Sequence, residues 1–158
     1  MNFKVGPIDG VEICTKNKHT DERGWLVETF RHDEMDKKYF PVMSYISLTL
    51  PGIVRGPHEH IEQSDLFIFI GPGTFKMWLW DNRESSNTFC NKMVLLVGED
   101  NQVSVLVPPG IVHAYKNITQ EAALVYNFPN KLFMGEGKKH PVDEIRHEDD
   151  PNSAFQID

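Results

Sequence analysis

The segment Val54-Arg55-Gly56-Pro57-His58-Glu59-His60 sets two histidines just after a Gly-Pro turn signal, and Val107-Pro108-Pro109-Gly110-Ile111-Val112-His113 sets a third after a Pro-Gly one. Imidazole titrates near neutrality, so such residues can take and return protons, or bind a metal through a neutral ring nitrogen. Both segments are flanked by β-branched and aromatic runs. In a sheet protein, two such strands can converge on one end of a barrel. That convergence suggests a small-molecule site, for proton transfer or for a metal.

The elements that would carry these residues are short strands separated by turn signals. Leu66-Phe67-Ile68-Phe69-Ile70 is a continuous apolar run closed by Gly71-Pro72-Gly73, which reads as a buried strand and a turn. Thr74 to Trp80, Met93 to Val97, Val103 to Val107 and Ala122 to Phe128 read as further strands, preceded by Val11 to Cys14, Trp25 to Phe30 and Ser44 to Leu50. Short strands in close succession indicate an all-β sandwich or barrel. One short helix is predicted over Asp33 to Tyr39 with Asp33 as N-cap, and a helical turn around Asp143 to His147 in a charged, irregular C-terminal extension.

The 158 residues, 40% apolar and 25% charged, fit one soluble domain spanning 1–158. A net charge of −7 argues against a nucleic-acid-binding surface, though a pocket can still be locally basic. Cys14 and Cys90 are too few for a disulfide framework. No apolar run reaches the ~18 residues of a membrane span and no signal peptide is apparent, so a cytoplasmic location without membrane contact is expected. Asn117-Ile118-Thr119 reads as a chance sequon.

Pro108-x-Gly110-x-x-His113-x-x-x-Asn117 resembles the second cupin motif, and Gly52, His58-x-His60 and Asp65 resemble the first, with aspartate where glutamate is usual. Further motifs are similar to one branch of that superfamily. Asp21-x-Arg23-Gly24-x-x-x-Glu28-x-Phe30, Val54-Arg55-Gly56-x-His58, Asp81-x-Arg83-x-x-Ser86-x-Thr88-Phe89 and Pro109-Gly110-x-x-His113 together resemble the dTDP-4-dehydrorhamnose 3,5-epimerase family, in order from about residue 21 to 127. The resemblance implies a cupin-type jelly-roll β-barrel, usually a homodimer, acting on nucleotide-diphospho-4-keto-6-deoxy sugars without metal or other cofactor. A C4 ketone acidifies the C3 and C5 protons, and such an enzyme needs a base, an enolate stabiliser and an acid on the opposite face.

By this resemblance His58 is the base and Asp143 its acidic partner, with Asp149 and Asp150 behind it. His113, His60 and Tyr126 would line the sugar site. Arg23 and Arg55 would hold the diphosphate, Glu28 would contact the nucleotide or order Arg23, and Arg83 with Ser86 would support the site or the dimer. The chain also departs from the family. Gln63 is followed by Ser64 and Asp65 where the family has a lysine two residues on, Phe133 stands at or beside its tyrosine acid, and Met43 and Tyr45 replace a glutamine and an asparagine. A carboxylate in place of the lysine opposes enolate formation unless another cation compensates. Tyr45 or Tyr126 would be the candidates for a substitute acid.

The leading expectation is therefore a nucleotide-sugar epimerase or isomerase of surface-polysaccharide synthesis. One alternative is a metal-dependent cupin enzyme holding a divalent transition metal on His58, His60, Asp65 and His113; another is a catalytically silent sugar-nucleotide binder. The blander readings are that His19, His32, His140 and His147 are solvated, that Trp78 and Trp80 are barrel core and interface, and that Asp143-Glu144 and Glu148-Asp149-Asp150 form a charged face.

Overall fold

The computed structural model describes residues 1–157. Its strands are β1 (Lys4–Val5), β2 (Glu12–Thr15), β3 (His19–Asp21), β4 (Gly24–Leu26), β5 (Tyr45–Thr49), β6 (Val54–Glu59), β7 (Asp65–Phe69), β8 (Thr74–Asp81), β9 (Asn91–Gly98), β10 (Val103–Val107), β11 (Ile111–Asn117), β12 (Ala123–Asn127) and β13 (Ile145–Arg146). One sheet runs β1-β9-β8-β11-β6-β13, a second β2-β10-β7-β12-β5, and β3 and β4 form a separate hairpin. Consecutive strands repeatedly fall in different sheets, and every pairing is antiparallel except β1 with β9. This is the expected all-β barrel.

Between the sheets lies a core of Phe67, Phe69, Phe75, Met77, Leu79, Val105, Val107, Ile111, Tyr115 and Val125. Parts of the outer faces are covered too. Trp78, Trp80, Val112 and Ala114 pack under Phe3 and Phe155, while Leu66, Ile68, Ile70 and Leu106 pack under Val27, Phe30, Met35 and Tyr126. A strand buried on both faces loses its alternation, which is why Asp65–Phe69 is buried at every position and why Leu66 to Ile70 reads as an unbroken apolar run. Burying each large apolar side chain contributes roughly 1.5–3 kcal/mol, and the fully buried Trp78 and Trp80 make the C-terminal tail part of the fold.

Two expectations about helices fail. Over 33–39 the chain makes two separate 3₁₀ turns, His32–Glu34 and Lys37–Tyr39, and Asp36 rather than Asp33 supplies the cap, accepting from the Lys38 N–H. Around 143–147 there is no helical turn: Ile145 and Arg146 pair with Glu59 and His58 as β13, and a 3₁₀ turn follows at His147–Asp149. The strand expected at Trp25 to Phe30 ends at Leu26.

Candidate functional site

β6 and β11 lie side by side, with His58 directly across from His113. Their rings meet edge to face at 4.5 Å, and the His60 ring lies 5.7 and 5.8 Å from the two. Phe67 packs under His113 and Tyr115, giving the site an aromatic floor. Above it opens a cavity of about 1120 Å³, lined by Tyr45, Arg55, His58, His60, Gln63 and Phe133 among others. That is slightly above the ~300–1,000 Å³ usual for small-molecule sites.

The three histidines differ electrostatically. His113 Nδ1 lies 3.0 Å from the Ile111 carbonyl, which fixes the proton there and leaves Nε2 bare, buried and without a hydrogen bond. Burial, then the neighbouring His58, pushes its pKa down to about 3. Burial and then His60 hold His58 at about 4, uncharged at neutral pH. His60 is the opposite case. One ring nitrogen faces the Asp143 carbonyl and the other lies 3.1 Å from Asp65 Oδ2. Burial opposes its charge, but the Asp65 hydrogen bond and the Asp143 contact outweigh that and lift its pKa to about 9. Asp65 in turn is buried yet held at about 2, chiefly by His60.

Asp143 is not the partner of His58. Its carboxylate accepts the N–H groups of Ile61 (2.9 Å), Glu62 (2.9 Å) and Gln63 (2.7 Å), capping the turn from β6 to β7. Those donors outweigh burial and hold its carboxyl below the usual range. The acids beside His58 Nδ1 are Glu144 at 3.7 Å and Glu148 at 3.9 Å, both steadied by Arg146. The sequence reading missed both, because their charge run looks like a solvated face. Asp149 only pairs with Arg146, at 3.2 Å. His147 is also misread as solvated: it is half-buried and bonds Glu59 at 2.9 Å. His140 is exposed but lines the cavity.

Other expected site residues divide sharply. Arg55 lines the cavity and is held by Thr49 Oγ1 and the Leu48 carbonyl, both at 3.0 Å. Arg23 does not: it sits on the β3–β4 hairpin, exposed and paired with Asp21. Glu28 is likewise outside, 3.4 Å from Arg31. Arg83 is taken up by the buried Asp81, which also accepts from Ser86 and Thr88, so it braces a loop rather than meeting a ligand in this chain. Tyr126 points out of the barrel, because alternation along β12 turns Ala123, Val125 and Asn127 inward and Leu124 and Tyr126 outward. Of the positions that depart from the family pattern, Met43, Tyr45 and Phe133 line the cavity, while Asp65 is buried.

The arrangement provides a neutral base (His58) and a cation (His60) on the cavity wall, with a second neutral imidazole, His113, buried against His58. The ligand nitrogens of the three histidines lie within 4.8 Å of one another, so with Asp65 they are the donors that would hold a divalent transition metal. The bare Nε2 of His113 fits that use, while His60 would first have to give up its Asp65 contact.

Residues 6–149 match the family model for dTDP-4-dehydrorhamnose 3,5-epimerase. The chain is 37% identical over 127 residues to the probable low-salt glycan biosynthesis epimerase Agl13 of Haloferax volcanii, covering 80% of this chain and 81% of that one. It is 35% identical over 121 residues to the spore coat polysaccharide biosynthesis protein SpsL of Bacillus subtilis, covering 77% and 79%. The crystal structure of a dTDP sugar isomerase from Desulfovibrio desulfuricans superposes with a TM-score of 0.79 at 23% identity, covering 94% of this chain and 91% of that one, which establishes the shared cupin-type fold. With a matching barrel, a histidine pair at its mouth and a family match along nearly the whole chain, this protein belongs to the dTDP-4-dehydrorhamnose 3,5-epimerase family.

Proposed function

We propose that this protein is a cytoplasmic nucleotide-sugar epimerase of surface-polysaccharide synthesis. It removes a proton beside the C4 ketone of a nucleotide-diphospho-4-keto-6-deoxy sugar, without a metal, using His58 as base. The observation that carries the reading is the placement of His58: a half-buried imidazole on the cavity wall, its charged form disfavoured by desolvation and then by His60. Its Nδ1 faces Glu144 and Glu148, so Nε2 is the nitrogen that takes the proton and the two carboxylates stabilise the imidazolium that results. The enolate left on the sugar needs positive charge nearby. His60, with an oxygen acceptor at each ring nitrogen, supplies it in place of the missing lysine. Arg55 is the diphosphate ligand this chain brings to its own cavity, and Lys131, Lys138 and Arg146 add basic charge around the opening.

A homodimer is part of the proposal. Arg23 is stranded on a hairpin that also exposes Trp25 and Leu26, and the edge strand β5 exposes Ile46 and Leu48 on its outer face. Such surfaces favour pairing with a second copy.

The test is deuterium uptake from heavy water by dTDP-4-keto-6-deoxyglucose and its UDP, GDP and CDP counterparts, read by mass spectrometry and NMR, with and without chelator. Chelator-independent uptake at C3 or C5, lost in His58→Asn, is the expected result. Uptake abolished by chelator would transfer the chemistry to a metal on His58, His60, Asp65 and His113. No uptake with any of these sugars would refute the reading.

A further inference from the structure

An epimerase must return a proton from the face opposite its base, and the family's position for that donor is here Phe133, which has none to give. We infer that Tyr45 is the proton donor of this site, presented by Asn127 and Asp65 from the sheet opposite His58. The inference rests on the epimerase reading above and deepens it.

The argument begins at a buried carboxylate. Asp65 is 1% exposed, and its Oδ1 lies 2.8 Å from Asn127 Nδ2. An ionised carboxylate only accepts hydrogen bonds, so the nitrogen of the Asn127 amide must face it. A flipped amide would set two oxygens against each other. The same Nδ2 lies 2.7 Å from the Tyr45 hydroxyl. An amide nitrogen has two hydrogens: one goes to Asp65 and the other to Tyr45. The phenol is therefore an acceptor in this bond, and among the described residues nothing takes its own hydrogen. That hydrogen is free to point at a ligand.

The placement suits the task. Tyr45 and Asn127 are directly paired across β5 and β12 in one sheet, as His58 and His113 are across β6 and β11 in the other. Base and donor thus come from facing walls of one cavity. Tyr45 lies beside the wall where the family donor is missing: the Phe133 N–H contacts Met43 Sδ at 3.2 Å, two residues from Tyr45, and all three line the cavity. Burial and the nearby Asp65 charge raise the phenol's pKa above its ordinary value, which keeps the proton on oxygen until the carbanion calls for it.

The steps balance. His58 Nε2 takes the proton as the C–H bond beside the ketone breaks, and its electron pair forms the enolate. The enolate carbon then takes the proton from the Tyr45 O–H on the opposite face, the ketone re-forms, and tyrosinate and imidazolium exchange protons with water. No oxidant or co-reactant is needed.

The experiment separates proton removal from inversion. In heavy water, with the same four nucleotide sugars, Tyr45→Phe is expected to keep His58-dependent exchange with retention of configuration. Formation of the epimer should fall by about 10²–10⁴-fold, the usual worth of a positioned acid, with KM little changed. Tyr126→Phe, on the outer face, should behave as wild type. Tyr45→Phe forming epimer at the wild-type rate would overturn the assignment and leave His58 as base. Loss of exchange and epimer formation in equal measure would reduce Tyr45 to a structural part of the wall. If Tyr45→Phe does not fold, 3-fluorotyrosine at position 45 replaces it; epimer formation that ignores the altered phenol acidity overturns the assignment. A wild-type protein inactive on all four sugars removes the epimerase reading and this assignment with it.

Discussion

The three histidines show how far environment separates identical side chains. His58 must be neutral to accept a proton, and its lowered pKa places the acid limb of kcat/KM near pH 4. His60 must be charged to steady the enolate, so the basic limb falls near pH 9. The expected profile is a broad plateau between those values, and His60→Gln should remove the basic limb while lowering the plateau. Stability moves with the same groups. His58 and His113 have folded pKa values below the unfolded one, so their contribution is complete above about 6.5 and is lost as pH falls through about 4 and about 3. His60, raised, contributes fully below that value and loses its contribution as pH rises through about 9. A rate profile and thermal melts from about pH 2.5 to 10 check both; a basic limb unchanged in His60→Gln would remove His60 from the chemistry. At this scale the sequence was legible for the motif residues His58, His60, His113 and Arg55, which the fold brings near one another, though not for Arg23 and Glu28, which stand in a motif and lie outside the cavity. It was not legible where a contact joins distant segments. Glu144 and Glu148 reach His58 only because β13 pairs with β6, and a run of acids in sequence gives no sign of such a partner.

At the scale of elements, the site depends on an irregularity in β6. Side chains alternate along a strand, so Arg55 and His58, three residues apart, should face opposite ways. They share the cavity because β6 advances from His58 to Arg55 while β11 moves only from His113 to Tyr115, an extra residue that flips the register. Gly56 makes this possible. Its φ is +82°, and a Cβ there would lie 2.5 Å from the His113 carbonyl oxygen and 3.2 Å from His58 Nδ1. Gly56→Ala is expected to cost about 1–3 kcal/mol for the backbone strain alone and to displace His58, lowering kcat more than it raises KM. A thermal melt and a kinetic comparison check this, and a variant with wild-type stability and rate would show that the bulge tolerates a side chain. The Gly-Pro pair inside an otherwise β-forming run was the available sign, since both residues in a strand mark a bulge. The main strands were legible for a related reason: their apolar content and bounding turns are local properties. The helix expected over 33–39 was not, because its charged residues pair locally, as Arg31 does with Asp33 and Glu34, and Met35 and Tyr39 dock on the barrel from a chain broken into two 3₁₀ turns.

Across the whole molecule, the unanswered question is what completes the diphosphate site, since the chain brings Arg55 to its cavity but leaves Arg23 outside. A motif residue exposed on a projecting hairpin is useless to its own site and well placed for a neighbour's. In a twofold dimer each hairpin would reach the other copy's cavity, and the outer face of β5 would be covered. This predicts complementation. Arg23→Ala and His58→Asn, each inactive alone, should regain activity when unfolded together and refolded as a mixture. Random pairing makes half the dimers mixed, and each mixed dimer has one intact site and one doubly defective one, so about a quarter of wild-type activity should return. If Arg23 served its own chain, every site in the mixture would carry one defect and no activity would return. Sedimentation of the unmixed protein supplies the second check: a monomer at working concentration that is fully active would remove the dimer from the mechanism and leave Arg55 to hold the diphosphate alone.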